Sequence, residues 1–295
     1  MADAGAGAEG RCGGSANRRS CGAVTDPPSP RHVTGTDQLL VEIDDATARI
    51  TFNNPGKRNA LSVEMRTALP GLLASLDADP GVRVLVLTGA GTKAFVSGAD
   101  ISEFGAQRTS PEARAEYDRV GAAVAGAWAA FGKPIIAMIR GYCIGGGLLT
   151  ALQADIRIAS VDSQFGVPAA RLGLGYGFAG VEALLGVVGP AWTSEILFSA
   201  RRLSSSEALR IGLVNRVVPA DRLDAEVMEL ASCISQNAPL TIAASKAAIV
   251  ESRRAPEQRD PERVHALIEA CFRSDDYQEG QRAFAEKRPP RFHGR

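Results

Sequence analysis

The chain has 295 residues, enough to bury a large core, and its 33 basic and 33 acidic residues give a formal net charge of zero. This balance gives no reason to expect nucleic acid or an anionic membrane surface as a partner. The sequence shows no uninterrupted apolar run of bilayer length, no signal-peptide pattern and no C-x-x-C pair among its five cysteines, so we expect a cytoplasmic protein with free thiols.

The beginning of the chain changes abruptly in composition. Residues 1–37 hold almost no large apolar side chains, which predicts a disordered N-terminal extension. Two strand-like runs follow, Leu39–Ile43 and Ala46–Phe52, joined by Asp44-Asp45. We therefore expect the folded part to begin with a β-hairpin.

Helix-period segments and apolar runs then alternate along the chain. A helical segment extends from Ser62 to about Leu76. After it come three mainly apolar runs, typical of buried strands, at Val82–Leu87, Ile135–Ile139 and Ile156–Ala159. Helical segments alternate with them at 111–131, 146–153 and 178–199. Strands alternating with helices predict a layered α/β fold.

The last third of the chain becomes helical. Ser204 and Glu207 have the spacing of a capping box, and Val214–Val218 is the last predicted strand. From Asp221 onward the pattern is helical throughout. These patterns divide the chain into three parts: a disordered extension (1–37), an α/β core (38–220) and a C-terminal helical region (221–295).

Two glycine-rich turns follow predicted buried strands. The first, 89–100, contains Gly98 and Ala99 and ends at Asp100, whose spacing to Glu103 predicts an N-capped helix beginning near Ile101. Backbone N–H groups at a helix start need no partner within the helix. The second turn, Gly141–Gly147, has three successive glycines, which permit positive φ values and the close approach of a ligand.

Two backbone N–H groups at such turns can form an oxyanion hole, which stabilises the enolate oxygen of a reacting thioester. Each turn taken alone also suits simple packing or phosphate binding. A nucleotide-binding fold is disfavoured, because the chain has neither GxxxxGK[ST] nor a GxGxxG after its first strand.

Five segments taken together resemble the enoyl-CoA hydratase/isomerase (crotonase) superfamily over roughly residues 38–293. They are NNPGKRNALS, AFVSGADISEF, KPIIAMIRGYCIGGGLLTALQADIRIAS, FGVPAARLGLGYG and ARRLSSSEALRIGLVNRVVP. The resemblance implies a spiral of ββα units with a C-terminal helical trimerisation lobe, assembled as a homotrimer or a dimer of trimers. It also implies an acyl-CoA thioester as substrate, with no cofactor besides the coenzyme A of that substrate.

The resemblance also assigns residues. It places the oxyanion-hole donors on the N–H groups of Ala99 and Gly146. It implies that coenzyme A and its acyl group bind along two segments and at several single positions: Lys57, Arg58, Ala60, Leu61, Ser97, Gly98, Asp100, Ile101, Gly145, Leu149 and Ala169. Lys287 resembles a residue that approaches the CoA phosphates from a neighbouring subunit.

The two glutamates of the hydratases are absent. Their positions, two residues after the glycine triplet and just after the proline of F-G-x-P, hold Leu149 and Ala169, which cannot carry a proton. Positioned acid–base groups contribute roughly 10²–10⁴-fold, so we expect little hydratase activity. Glu182 and Glu195 lie in a predicted helix, where a solvated or salt-bridged face is expected.

Tyr176 is the remaining polar candidate. Its place in LGLGYG, and the DYQEG and EKR segments of the tail, resemble the methylmalonyl-CoA decarboxylase branch of the superfamily. Decarboxylation needs no base, because CO₂ leaves and the enolate is held by the oxyanion hole. We therefore favour decarboxylation of a malonyl-type CoA. Two alternatives stay open, a hydratase or isomerase that uses an unidentified residue and a non-catalytic acyl-CoA binding protein.

Two further side chains are predicted to be structural. Asp155 begins a predicted strand and is expected to accept structural hydrogen bonds. Cys143 lies inside the second turn with no histidine nearby in sequence, so a buried, unreactive thiol is expected.

Overall fold

A computed structural model describes residues 31–100 and 110–295 of the chain. Within them are eleven strands: β1 (Arg31–Thr36), β2 (Leu39–Asp44), β3 (Thr47–Phe52), β4 (Val84–Gly89), β5 (Ala94–Val96), β6 (Ile135–Ile139), β7 (Tyr142–Ile144), β8 (Ile156–Ser160), β9 (Gln164–Gly166), β10 (Leu203–Ser204) and β11 (Arg216–Val218). The same residues form nine α-helices: α1 (Val63–Ala78), α2 (Pro111–Ala130), α3 (Gly146–Ala151), α4 (Phe178–Ser199), α5 (Ser205–Arg210), α6 (Leu223–Ser235), α7 (Pro239–Ser252), α8 (Pro261–Arg273) and α9 (Asp275–Glu286).

The strands form two sheets. The larger has the order β1-β2-β3-β4-β6-β8-β11, in which β1, β2 and β3 pair antiparallel and every pairing from β3 onward is parallel. The smaller has the order β10-β9-β7-β5. The predicted hairpin is present as β2 and β3, with Leu39 opposite Phe52.

Three parallel strands of the large sheet are each followed directly by a strand of the small sheet. The pairs are β4 with β5, β6 with β7, and β8 with β9, and the last two pairs lead into α3 and α4. This is a series of ββα units, as the resemblance implied. The residue pattern alone predicted only the longer strand of each pair, because three-residue strands such as β7 carry too few positions to show a period.

The middle strands of the large sheet, β4 and β6, are buried on both faces, which explains their apolar runs. Leu85 and Leu87 of β4 face the main core, whereas Val84 and Val86 of the same strand belong to a second cluster under α6. Alternate side chains of a strand point to opposite faces. Strands β6 and β8 divide their side chains in the same way.

One predicted boundary differs from the structure. Strand β1 pairs with β2, so the folded chain begins by Arg31 rather than after residue 37; residues 1–30 lie outside the described part. The helical region predicted from residue 221 begins with α6, which covers the large sheet with Leu223, Val227 and Ala231. The apolar face of α6 stabilises the core by burial against β4, β6 and β8.

Helix α4 has the length and composition of a membrane-crossing helix, and it is the one such helix among the described residues. Gly189 has φ 72° and ψ 174°, so the helix is kinked there, just before Pro190. Its surface exposes large apolar side chains, among them Phe178 (81%) and Phe198 (80%). These two side chains lie near opposite ends of the helix.

The C-terminal helices are fixed to the core by polar contacts. Lys246 of α7 donates to Asp155 Oδ2 (3.0 Å) and to the Lys133 carbonyl (2.6 Å). Asp155 Oδ2 also accepts from the Ile135 N–H (2.8 Å), so its predicted structural role is confirmed. The guanidinium of Arg83 donates to the carbonyls of Ser235 and Phe292. These contacts hold the middle of α7, the end of α6 and the C-terminal segment against the core.

Candidate functional site

The loop before α1 is held in place by a buried asparagine. Asn59 is 1% exposed and has φ 57°. Its Oδ1 accepts from the Asn54 N–H (3.1 Å), and its Nδ2 donates to the carbonyls of Ala90 (2.9 Å) and Ala94 (2.7 Å). These bonds tie the loop to the first glycine-rich turn, which follows β4.

A short backbone pairing then fixes Ala99. The Leu61 N–H donates to the Gly98 carbonyl (2.8 Å), and the Asp100 N–H donates to the Leu61 carbonyl (3.0 Å). In this parallel bridge Leu61 lies opposite Ala99, and the Ala99 N–H has no acceptor among the residues that the structure describes. The helix predicted to begin near Ile101 lies outside the described residues.

The second turn leads from β7 into α3. Gly141 has φ 65° and Gly145 has φ 56°, values that favour glycine. The Gly145 N–H donates to the Gly166 carbonyl of β9 (2.8 Å). Gly146 is the first residue of α3, so its N–H is one of the donors without a partner inside the helix.

The fold brings these two turns into contact. A Cβ added to Gly146 would lie 3.4 Å from the Ala99 nitrogen, and one added to Gly98 would lie 3.8 Å from the Gly146 nitrogen. Among the hydrogen bonds of residues 31–100 and 110–295, neither of these two N–H groups donates to a protein acceptor. The arrangement is therefore suited to bind one oxygen atom of a ligand between two donors.

The N–H pair lies in the wall of a cavity of about 920 Å³. Most of the wall is apolar and comes from α1, α2, α3 and α4; it includes Phe52, Leu61, Met65, Leu69, Val124, Trp128, Leu149 and Ala183. Such a wall suits an acyl group and lowers the local dielectric constant, which strengthens hydrogen bonds to a developing oxyanion.

Of the two positions where the hydratases have glutamates, one lines the cavity and the other does not. Leu149 is on α3, one turn after Gly146, and lines the cavity. Ala169 belongs to a 3₁₀ helix (Pro168–Leu172) that packs against the core, and it is not part of the cavity wall. This helix lies beside the second turn, because a Cβ added to Gly145 would lie 3.8 Å from Pro168 Cδ. Neither side chain can transfer a proton.

The structure does not place Tyr176 on the cavity wall. Its hydroxyl is buried without a hydrogen-bond partner among the described residues. Its ring packs against Gly180, where an added Cβ would lie 2.5 Å from Cε1. Burial raises the pKa of the phenol to about 12, so the hydroxyl stays protonated. The sequence-based role of Tyr176 in orienting a substrate carboxylate is not supported by this position.

The predicted CoA-binding residues lie mostly together. Lys57 Nζ contacts Asp100 Oδ2 (2.6 Å), a carboxylate that is buried, and the Ser97 hydroxyl donates to the Lys57 carbonyl (3.1 Å). The guanidinium of Arg58 lies 5.2 Å from the centre of the Tyr142 ring. Ala60 is buried beside them.

Two other predicted binding residues do not lie in this group. Lys287 is exposed at the end of α9, where it caps the helix, and it is not part of the cavity wall. Ile101 lies outside the described residues.

Residue patterns missed the polar side chains of the cavity. Within the described residues four charged side chains line it: Arg66, Glu182, Arg253 and Arg254. Glu182 is exposed, as expected, but the exposed side faces the cavity. The spacing of Ala179, Glu182, Ala183 and Gly186 on α4, which puts all four on one helix face, is the signal that could have revealed it.

The thiol of Cys143 is unreactive, and the described residues offer no metal site for the reaction. Burial raises the pKa of the Cys143 thiol far above its ordinary value, so the predicted unreactive thiol is what the structure shows. Over the two ranges that the structure describes, no group of three or more His, Cys, Asp and Glu side chains could hold a metal ion.

Comparisons with known proteins give one consistent result. Residues 42–295 match the family model described as Enoyl-CoA hydratase/isomerase. The chain is 35% identical over 256 residues to a crotonyl-CoA hydratase of Syntrophomonas wolfei, covering 87% of this chain and 98% of that protein. It is 34% identical to a short-chain-enoyl-CoA hydratase of Clostridium acetobutylicum, covering 85% and 96%.

A solved structure agrees with them. A protein of Magnetospirillum magneticum described as an enoyl-CoA hydratase/carnithine racemase superposes with a TM-score of 0.82 at 36% identity, covering 88% of this chain and 97% of that one.

Proposed function

The chain belongs to the enoyl-CoA hydratase/isomerase family, and on that basis we propose that the N–H groups of Ala99 and Gly146 bind the carbonyl oxygen of an acyl-CoA thioester. The observation that carries the proposal is that these two N–H groups lie next to each other in the wall of a largely apolar cavity, and that neither has an acceptor among the described residues. When a bond at the α-carbon breaks, its electron pair moves to this oxygen, and two fixed donors stabilise the resulting enolate. Removal of one such donor typically costs 10²–10³-fold in rate.

The remaining substrate contacts follow from the same arrangement. Coenzyme A extends along the loop 57–61 and the turn 97–101, where the contact between Lys57 and Asp100 holds the two segments together. The chemistry uses backbone donors and requires no cofactor beyond the CoA of the substrate. We propose that Lys287 reaches the CoA phosphates of a neighbouring subunit in a homotrimer or dimer of trimers, which would also cover the exposed apolar side chains of α4. We expect this assembly in the cytoplasm.

Decarboxylation of a malonyl-type CoA is the specific reaction that the missing glutamates favour. Leu149, which replaces the first glutamate, is an apolar part of the wall, and Ala169 cannot titrate. In a decarboxylation the bond between the α-carbon and the carboxylate breaks, CO₂ leaves and the thioester oxygen takes up the negative charge. No base is needed for this step, so the absence of both glutamates does not prevent it.

Hydration through Glu182 is the second candidate. Glu182 is the one carboxylate among the described residues of the cavity wall. Names of the relatives also favour it, since several are called hydratases. In this reaction Glu182 would remove a proton from the water as its oxygen bonds to the β-carbon, and the electron pair of the double bond would move to the thioester oxygen. The protonated Glu182 would then return this proton to the α-carbon of the enolate.

An assay of two substrates separates these reactions. We expect the wild type to release CO₂ from methylmalonyl-CoA and to hydrate crotonyl-CoA far more slowly than an ordinary enzyme rate of roughly 10 s⁻¹. Glu182→Gln should leave CO₂ release within about threefold, because decarboxylation needs no base. Glu195→Gln is the matched control on the same helix, since Glu195 pairs with Arg201 at 2.6 Å and does not line the cavity.

Three outcomes would change the assignment. The hydratase would be established if the wild type hydrates crotonyl-CoA fast, if Glu182→Gln lowers this rate by about 10²-fold or more, and if Glu195→Gln leaves it unchanged. Binding of acyl-CoA without any turnover would identify a binding protein. Failure of every acyl-CoA to bind would overturn the proposal as a whole.

Tyr176→Phe tests the position of the tyrosine hydroxyl. The hydroxyl has no protein partner, so its loss breaks no hydrogen bond and removes an unsatisfied buried group; we expect an unchanged or higher melting temperature. Since it does not line the cavity, kcat/KM should stay within about threefold of wild type. A fall in the range of about 5- to 150-fold would instead show that the hydroxyl reaches the substrate.

The pH dependence of stability gives a second measurement on the same variant. The folded pKa of Tyr176, about 12, lies above the ordinary value of 10.0. The unfolded chain therefore loses this proton first, so the tyrosine's contribution to stability is complete below pH 10 and decreases as the pH rises toward 12. Thermal melts at increasing pH should show a smaller alkaline loss for Tyr176→Phe than for the wild type.

A further inference from the structure

Arg253 differs from the other arginines of the cavity in having no partner. The Arg66 guanidinium donates to the Tyr117 backbone carbonyl (3.2 Å) and lies 4.0 Å from the centre of the Tyr117 ring. Arg254 pairs with Glu251 at 3.0 Å. In the part of the chain that the structure describes, the Arg253 guanidinium pairs with no carboxylate and donates no hydrogen bond, although it lines the cavity.

The fold makes room for this side chain. Arg253 follows the last residue of α7, and Lys246 fixes that helix to Asp155 at the start of β8. A Cβ added to Gly186 of α4 would lie 2.5 Å from Arg253 Nη2. The guanidinium therefore rests on bare helix backbone, in a place that any larger side chain at position 186 would fill.

Arg253 and the N–H pair line the same cavity from different helices. The Gly146 N–H lies at the start of α3, whereas the Arg253 guanidinium lies against Gly186 of α4. Gln153, which lies about 10 Å beyond Gly146 along the helix direction, also lines this cavity, so the space extends well beyond the N–H pair.

Much of the cavity wall is apolar. Leu149, Val124, Trp128 and Ala183 contribute to it. A thioester held by the N–H pair, with its CoA along the loop 57–61, would extend its acyl chain along this wall toward Arg253. Glu182 is the one acidic group on the described wall, and no ion pair joins it to Arg253.

We propose that the acyl group accepted by this cavity carries a free carboxylate at the end of its chain and that Arg253 binds this carboxylate. The inference rests on the proposed function, because it assumes a thioester at the N–H pair. A guanidinium can bind a carboxylate through two parallel hydrogen bonds, and an apolar wall beside the pair strengthens both. The substrate class is therefore that of dicarboxylic acyl-CoA thioesters of medium length.

Calorimetry with saturated thioesters tests the assignment without any turnover. Adipyl-CoA and hexanoyl-CoA differ only in the terminal carboxylate, and suberyl-CoA and octanoyl-CoA form a longer pair. We expect the wild type to bind the carboxylated member of at least one pair about 10- to 100-fold more tightly. Arg253→Met should abolish this preference and leave the affinity for the neutral member within about threefold.

Two further variants complete the test. Arg254→Met is the matched control, since Arg254 already pairs with Glu251, and it should retain the preference. Gly186→Ala keeps the charge but displaces the guanidinium, because the new Cβ would lie 2.5 Å from Nη2; it should weaken the preference, and it serves in place of Arg253→Met should that variant fail to fold.

The possible contrary results are distinguishable. The role of Arg253 is overturned if the wild type binds the carboxylated and the neutral thioester of each pair with equal affinity. It is also overturned if the preference for the carboxylated thioester survives both Arg253→Met and Gly186→Ala. Either result leaves the acyl-CoA function standing. Absence of binding by all four thioesters overturns both.

Discussion

Gly146→Ala is expected to lower turnover of the acyl-CoA substrate by about 10²–10³-fold while the protein stays folded. The added methyl would lie 3.4 Å from the Ala99 nitrogen. In that place it occupies the space between the two N–H donors that the thioester oxygen must enter, so the enolate loses at least one hydrogen bond. The contact itself is close to an ordinary van der Waals distance, and alanine favours the helix that begins at this residue.

Steady-state kinetics and thermal melts on the same sample test this expectation. The fall should appear in kcat as well as in kcat/KM, because the interaction that is lost is strongest in the transition state. A variant that melts like the wild type and retains turnover within about tenfold would show that Gly146 does not supply an oxyanion-hole donor.

Gly147→Ala is expected to act on stability instead. A Cβ at this residue would lie 1.9 Å from the Val96 carbonyl oxygen and 2.6 Å from the Val96 carbonyl carbon. Both are backbone atoms of β5, so α3 and β5 would have to separate. Overpacking of this kind costs about 1–3 kcal/mol or more in the free energy of unfolding, and each kcal/mol lowers the melting temperature by about 2–4 °C in a chain of this size.

A third glycine provides the control. Gly71 is exposed on α1, and a Cβ there would have no atom within 4 Å, so Gly71→Ala should leave the melting temperature unchanged or raise it. A Gly147→Ala protein that unfolds at the same denaturant concentration as the wild type would contradict the contact between α3 and β5. The neighbouring glycines 146 and 147 thus separate a role in catalysis from a role in packing.

Most of the long elements follow from local residue patterns. The apolar run at Val82–Leu87 predicted β4, and the capping box at Ser204 is present, with its side chain accepting from the Glu207 N–H. These predictions succeeded because a buried strand or a capped helix start needs only residues that are close in sequence. Short strands such as β5 form only because β7 lies beside them, so no local pattern reveals them.

The sequence by itself determined the family, the two glycine-rich turns, the candidate donors Ala99 and Gly146, and the loss of both glutamates at Leu149 and Ala169. Each of these depends on the identity of a residue at a known place in a motif. Proton transfer by these two positions can be excluded in this way without coordinates, because leucine and alanine do not titrate.

Only the tertiary structure decided which other side chains share the cavity with the donors. Glu182 and Arg253 are 71 residues apart in the chain and lie on different helices, yet both line the same wall, while Tyr176 is turned into the core. The direction of a side chain depends on how its helix packs against elements far away in sequence. The Arg253 guanidinium, at the end of α7, lies against Gly186 of α4, and no periodicity within either helix encodes that contact.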